Sequence, residues 1–325
     1  MTTETAHAFW ITGPGRGELR PVAVTAPGPD QLEIETRYTA ISRGTEALIF
    51  AGKVPSSEYQ RMRAPFQEGS FPAPVKYGYS NVGRVTRGSD ALVGHEVFCL
   101  FPHQTRYVVP ATAVTVIPDN VPAARAVLAA NLETAVNGIW DAAPRVGDRI
   151  AVVGAGTVGC LVAWLACGLR GAEVELIDID PRKARAATAL GVPFAAPDRA
   201  AREVDLAIDA SGAGAGLQLA LELGGFEAKI VALSWFGSDP VSLPLGEAFH
   251  SKRLRLIASQ VAHIAGSQRS RWDHARRMDL VMRLLASDEL DALITGESPF
   301  AELPDVMAKI AGGDDGSLCH RISYR

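Results

Sequence analysis

Several things are scarce in this chain of 325 residues, and each scarcity closes off a class of function. Cysteine occurs four times, as Cys99, Cys160, Cys167 and Cys319. The spacing forms no C-x-x-C pair and no disulfide framework, so the thiols read as reduced and mostly buried, as in a cytoplasmic protein. Excess charge is also lacking: 32 Lys and Arg against 36 Asp and Glu leave a net −4. That balance offers nothing to nucleic acid or to an anionic membrane surface. No stretch approaches 18 uninterrupted apolar residues, and the start MTTETAHAFW lacks the basic and apolar segments of a secretory signal. Internal repeats and low-complexity tracts are missing too. What remains is a globular composition, 47% apolar, with the length of about two domains.

The most informative stretch runs from Arg149 to Lys183. Ile150 to Val153 form a short apolar run of the kind found in buried strands. It ends at Gly154-Ala155-Gly156-Thr157-Val158-Gly159, a G-x-G-x-x-G. Val158, Leu161, Val162, Leu165, Ala166 and Leu169 then recur at helical spacing, and Gly171 closes the helix. Val174 to Ile177 read as a second buried strand with Asp178 at its end. Each part has a mechanical reason. Gly154 permits the tight turn, Gly156 lets the backbone approach a pyrophosphate, and Gly159 lets helix and strand pack closely. The N–H groups and positive dipole end at Thr157 and Val158 face the phosphates. Asp178, 19 residues beyond Gly159, is placed to accept hydrogen bonds from a ribose diol. Strand, glycine loop, helix, strand and acid together predict a dinucleotide site.

The pattern elsewhere is consistent with an α/β chain. Residues 1–120 are β-rich, with short runs Leu32–Thr36, Val82–Val85, Glu96–Leu100 and Arg106–Val109 between Gly, Pro and Asp. Lys53 to Lys76 is a long proline- and aromatic-containing segment, either a binding loop or surface coil. Ala123 to Ala143 reads as a helix stopped by Pro144. Asp180-Pro181 opens a helix as N-cap and first residue, ending near Gly191. Leu206–Ile208, a helix over Gly216–Leu223, Lys229–Leu233 and Arg255–Ala258 continue an alternation that predicts a doubly wound parallel sheet over 121–260. Residues 261–325 carry an amphipathic helix around Asp273–Ala286, another over Leu303–Ala311, and a strand Cys319–Tyr324.

This order resembles the medium-chain dehydrogenase/reductase superfamily over nearly the whole chain. Ile41-Ser42-Arg43-Gly44-Thr45-Glu46, followed by Gly52, is similar to the zinc-type alcohol dehydrogenase-like and bacteriochlorophyllide hydroxyethyl dehydrogenase-like members. The resemblance implies a GroES-like catalytic domain over 1–120, a Rossmann domain over 121–260, and a return segment, 261–325, completing the first. It also implies an NAD(P)-dependent oxidoreductase, a small-molecule substrate and a homodimer. Lys183 falls where members carry a lysine near the adenosine ribose, though a solvated helix lysine fits the same pattern. Ser211, in Asp209-Ala210-Ser211-Gly212, falls where the backbone approaches the dinucleotide. Trp235, in Leu233-Ser234-Trp235-Phe236-Gly237, falls in the loop bordering the nicotinamide or else in the core.

The departures are as informative. Zinc members carry Cys-Gly-Thr-Asp where this chain has Arg43-Gly44-Thr45-Glu46, and Gly-His-Glu where it has Gly78-Tyr79-Ser80. Arg43 and Tyr79 thus stand at two ligand positions, and Leu48 stands where a relay histidine is expected. Catalytic zinc needs three protein ligands, so no metal is expected. Gly94-His95-Glu96 spells the zinc motif without its following Gly and Val spacing and reads as a turn. The remaining histidines, His103 among them, are isolated in sequence and default to packing or surface roles. Glu133 lies near an acidic ligand position but lacks partners. Without a metal, the carbonyl oxygen must be polarised by donors or a cation. Tyr79 and Thr45 are the candidates, with Arg43 behind them to lower the phenol's pKa. A tyrosine that merely fills the vacated volume is the competing reading.

The expected function is therefore a zinc-independent, NAD-dependent oxidoreductase interconverting an alcohol and a carbonyl. Asp178 would repel the 2′-phosphate of NADP, whereas Arg182 could pair with it. A reductase of enones or quinones and a non-catalytic dinucleotide sensor are the alternatives.

Overall fold

The computed structural model describes residues 5–313 and 316–324. Two compact units divide the chain: Met1–Ala130 with Met282–Asp288 and Ile294–Arg325, and Asn131–Val281 with Glu289–Leu293. The divisions fall at 130 and 281, where the sequence pattern suggested about 120 and 260. Ser80 Oγ donates to Val127 O, which ties the segment after 120 to the first unit. Arg277, buried against Glu133, ties the segment after 260 to the second.

The first unit opens with a hairpin of β1 (Thr5–Gly13) and β2 (Arg16–Ala23), which the sequence pattern did not announce. β3 (Gln31–Ile41) is longer than the expected run, and α1 (Arg43–Phe50) follows it after a single residue. The 53–76 segment holds a short helical turn at Ser56–Glu58 and two short strands, β4 (Glu68–Gly69) and β5 (Val75–Lys76). β5 joins β1, giving a four-stranded sheet in the order β2-β1-β5-β4. Then come β6 (Asn81–Arg87), β7 (Glu96–Cys99), β8 (Arg106–Pro110) and β9 (Val114–Val116). Alternate residues of these strands face inward. Leu32, Ile34, Val85, Val97, Cys99, Phe101, Tyr107 and Val109 form one buried cluster. Burying each large apolar side chain contributes about 1.5–3 kcal/mol. His95 lies exposed in the turn between β6 and β7, as its motif context suggested.

The predicted helix over 123–143 is two helices, α2 (Ala123–Ala126) and α3 (Ala129–Ala142). The second unit then alternates: β10 (Arg149–Val153), α4 (Thr157–Cys167), β11 (Glu173–Ile177), α5 (Ala184–Ala189), β12 (Phe194–Ala195), β13 (Val204–Asp209), α6 (Gly214–Leu223), β14 (Gly224–Ala232) and β15 (Arg255–Ala258). All pairings are parallel, in the order β12-β11-β10-β13-β14-β15. Counted from β10 this is 3-2-1-4-5-6, the doubly wound dinucleotide order, with its switch point between β10 and β13. β10 is buried from Ile150 to Val153 because it is central, which explains its continuous apolar run.

α7 (His274–Leu284) leads back toward the first unit. There β16 (Ile294–Pro299), α8 (Leu303–Ala311) and β17 (Cys319–Ser323) complete a seven-stranded sheet. Its order is β16-β17-β3-β6-β7-β9, and β8 also pairs with β3.

Candidate cofactor and active site

In the second unit the glycine loop joins β10 to α4 at the switch point, outside the carboxyl ends of the strands. The three glycines have different neighbours. Gly154 has φ +102°, and a Cβ there would lie 2.5 Å from Ser211 Cα. A Cβ on Gly159 would lie 1.8 Å from Gly154 O, so any side chain collides with the loop's own backbone. A Cβ on Gly156 would meet nothing within 4 Å. Gly156 is also the N-cap of α4, with no side chain capping the first turn. The first turn containing Thr157 and Val158 thus faces open space, the arrangement an anionic pyrophosphate requires.

Asp178 is fixed beside this loop. Its Oδ2 accepts from Ala155 N–H at 2.6 Å, and its Oδ1 accepts from Asp180 N–H at 2.8 Å. A carboxylate has about four acceptor sites, so capacity remains for two ribose hydroxyls. Ile179, next to it, is 87% exposed and offers an apolar face that sequence reasoning overlooked. Lys183 is buried rather than a solvated helix lysine; burial raises the pKa of the nearby Cys160 thiol, the Lys183 charge opposes the rise and the Asp178 charge adds to it. Arg182, the cation expected to meet a 2′-phosphate, pairs with Asp180 at 2.9 Å.

Ser211 has a local task. Its hydroxyl donates to Asp209 Oδ1 at 2.6 Å and accepts from Ala213 N–H at 3.1 Å. It shapes the turn that enters α6 and presses against Gly154. Asp209 is fully buried, and burial raises its pKa against the bonds from the serines. Ser234 Oγ accepts from Gly212 N–H at 2.9 Å, linking the loops after β13 and β14.

Glu133 is engaged elsewhere. Arg277, 1% exposed, donates to Glu133 Oε1 at 2.9 and 3.1 Å, to Asn137 Oδ1 at 2.7 Å and to Val261 O at 2.7 Å. Burial raises the Glu133 pKa, and the Arg277 charge opposes the rise.

In the first unit, α1 and the segment between β5 and β6 bring Tyr79 and Thr45 together. Tyr79 is partly buried, and its hydroxyl shares hydrogen bonds with the side chains of Ser42 and Thr45. Burial pushes its pKa up to about 12; the Glu46 charge adds to the rise, and the bonds to Ser42 and Thr45 oppose it. The expectation that Arg43 lowers this pKa is corrected. Its guanidinium donates to Gly313 O at 2.9 Å and Ser317 O at 3.3 Å, because its long side chain reaches the stretch after α8. Tyr79 is therefore a neutral phenol at physiological pH, suited to donating a hydrogen bond. An aromatic series, Tyr59, Phe71, Tyr77 and Tyr79, runs from the 53–76 segment to this hydroxyl, with successive ring centroids 5.8–5.9 Å apart.

Sequence reasoning missed Glu46 and His103. Glu46 Oε2 lies 2.8 Å from His103 Nε2, and both side chains are buried. The packing role assigned to His103 understates it. Among the described residues, no three His, Cys, Asp or Glu side chains gather into a set able to hold a metal ion.

No family model matches the chain. An uncharacterized zinc-type alcohol dehydrogenase-like protein of Haemophilus influenzae is 26% identical over 223 residues. The match covers 64% of this chain and 61% of that relative, so less than two thirds of its length is spanned. The 2-desacetyl-2-hydroxyethyl bacteriochlorophyllide A dehydrogenase of Rhodobacter capsulatus is 29% identical over 316 residues, 90% of each chain. The solved L-idonate 5-dehydrogenase of Escherichia coli has a TM-score of 0.80 at 15% identity, with 99% of each chain covered. Two other structures with this fold hold NADP and NADH, at TM-scores of 0.78 and 0.76 and identities of 19% and 17%. The chain thus shares its fold end to end with solved dehydrogenases, and its sequence is similar to a zinc-type alcohol dehydrogenase-like protein and to a bacteriochlorophyllide dehydrogenase.

Proposed function

We propose that this chain is an NAD(P)-dependent oxidoreductase that interconverts an alcohol and a carbonyl on a small organic molecule without zinc, with NAD as its favoured cofactor. The observation that carries the reading is an open, anchored glycine-loop cradle; the absence of zinc is supported by the resemblance, which sets Arg43 and Tyr79 where zinc-binding members carry two ligands.

Gly156 and the first turn of α4 would receive the pyrophosphate, and Asp178 the adenosine ribose diol. The negative charge of Asp178, together with Arg182 being paired with Asp180, favours a free 2′-hydroxyl over a 2′-phosphate. Ile179 would cover one face of the adenine. The nicotinamide, when bound, supplies or accepts the hydride. The chain's own contribution is electrophilic. Tyr79, kept protonated, donates a hydrogen bond to the substrate oxygen, while Ser42 and Thr45 hold the phenol oxygen in place. Proton transfer from a positioned side chain is typically worth about 10²–10⁴-fold.

The test joins three measurements on one preparation: elemental analysis, fluorescence titration with NADH and NADPH, and turnover across alcohols, ketones, enones and quinones. Tighter NADH binding, absence of stoichiometric zinc and carbonyl turnover that falls in Tyr79→Phe support the proposal. Tighter NADPH binding with enone turnover would replace it by the double-bond reductase. NADH binding with no turnover would leave a sensor.

A further inference from the structure

Close to Tyr79 lies a set of buried polar groups that the reading above leaves unused. Glu46 is 2% exposed and His103 1%. Glu46 Oε1 accepts from Ser42 N–H at 2.8 Å, and Glu46 Oε2 lies 2.8 Å from His103 Nε2. On the other side of the imidazole, Nδ1 is 2.7 Å from Thr39 Oγ1, which is 3.1 Å from the Tyr324 hydroxyl. Four separate stretches contribute: β3, α1, the loop after β7, and the residue following β17. Packing alone does not require such a chain, since burying a carboxylate costs several kcal/mol unless its lone pairs are met. Here they are met by one ring N–H and one backbone N–H, and that N–H belongs to Ser42.

Ser42 immediately precedes α1. Its side chain forms no cap bond to the helix and is instead a partner of the Tyr79 hydroxyl. Thr45, the other partner, lies one residue before Glu46. The carboxylate therefore fixes the backbone of the turn that carries both groups.

We propose that Glu46 and His103 are positioning residues of the candidate site: their carboxylate–imidazole pair holds the first turn of α1, and with it Ser42 and Thr45, at the Tyr79 hydroxyl. For its catalytic meaning this rests on the role of Tyr79 proposed above; the positioning itself does not. The same carboxylate acts electrostatically on Tyr77, Tyr79, Cys319 and Tyr324, raising the pKa of each. The pair thus has a second effect, keeping the phenol protonated and so a donor.

The test uses the full chain labelled with [ζ-13C]tyrosine, with the Tyr79 resonance assigned by its loss in Tyr79→Phe. Glu46→Gln keeps the shape and removes the charge, and His103→Leu removes the ring donor. The expected result is a displaced Tyr79 resonance in both, with the Glu46→Gln phenol titrating at lower pH than wild type. His103→Gln, which can still donate to Glu46, should return the resonance toward the wild-type position. On the substrate found by screening, Glu46→Gln should lower kcat at least tenfold with KM within about twofold. Folded Glu46→Gln and His103→Leu proteins with an unmoved Tyr79 resonance overturn the proposal. Should neither fold, amide exchange in wild type decides: slow exchange of the Ser42 N–H supports the hold on α1, and loop-like exchange refutes it. A Tyr79→Phe protein as active as wild type would sink the catalytic reading alone, because the resonance reports positioning independently.

Discussion

The two glycines at the start of α4 make opposite predictions. Gly156 has φ −75° and ψ 178°, a conformation any residue adopts, and an added Cβ meets nothing. In the chain without cofactor, Gly156→Ala should therefore cost little. Alanine is a poorer N-cap than glycine by roughly 0.5–1 kcal/mol. Restricting the unfolded chain returns about 0.4–1 kcal/mol. The two nearly cancel, so the melting temperature should stay within about 2 °C of wild type. The methyl group nevertheless fills the space in front of the loop, where the pyrophosphate would lie. NADH affinity should fall at least tenfold, about 1.4 kcal/mol. Gly159→Ala is the converse. Its Cβ would sit 1.8 Å from Gly154 O, backbone that cannot rotate away. Overpacking of this kind costs about 1–3 kcal/mol, so melting should drop by several degrees before any cofactor is added. Thermal melts of the cofactor-free proteins and NADH fluorescence titrations separate the cases. A Gly156→Ala protein with unchanged melting and unchanged NADH affinity would refute the assignment of this space to the dinucleotide.

Other outcomes follow from the same geometry. Asp178→Ser removes the carboxylate that anchors Ala155 and repels a 2′-phosphate; it should narrow or reverse the NADH preference in paired titrations. Arg277→Leu strands the buried Glu133 and should destabilise the protein by about 3–5 kcal/mol, whereas pairing it with Glu133→Leu should recover part of that loss in chemical denaturation. Tyr79 titrates near pH 12 in the folded chain, against about 10 for an ordinary phenol. The unfolded chain therefore loses that proton first, and stability intact below pH 10 should decline between pH 10 and 12. The decline should be shallower in Tyr79→Phe. Chelators should leave turnover unchanged; activity lost with stoichiometric zinc would mean that the residues at the ligand positions have been misassigned.

The second unit was readable because its information is local. β10, the glycine loop, α4, β11 and Asp178 follow one another within about 30 residues, and each announces itself by apolar period or by glycine. α8 was readable for the same reason, through its amphipathic repeat over Leu303–Ala311. The first unit's site was less so, since its contacts span the chain. His103 meets Glu46 across 57 residues, and Thr39 meets Tyr324 across 285. No spacing rule connects them. The signal that was available was a histidine beside the apolar run Val97–Phe101 and an acid in the first turn of a helix. Arg43 shows the reverse error. Its position was aligned, but a long side chain can leave its position, and the Gly313 and Ser317 carbonyls drew it away. The β1–β2 hairpin escaped notice because Phe9 and Trp10 put apolar groups on both faces and blur the alternation.

The pairing of β17 with β3 bears on how the molecule is made. His320 to Ser323 lie against Ile41 to Tyr38, so about 280 residues separate partners in one sheet. A ribosome adding roughly 5–20 residues per second needs some 15–60 s to deliver the second strand after the first. During that interval β3 has β6 along one edge and β8 along the first half of the other, which leaves Tyr38 to Ile41 of that second edge uncovered. The second unit, nearly continuous in sequence, can begin to form meanwhile, lacking only Glu289–Leu293. Nascent chains halted before residue 319 should therefore bind chaperones through the exposed edge of β3, and release should coincide with synthesis of the strand that covers it.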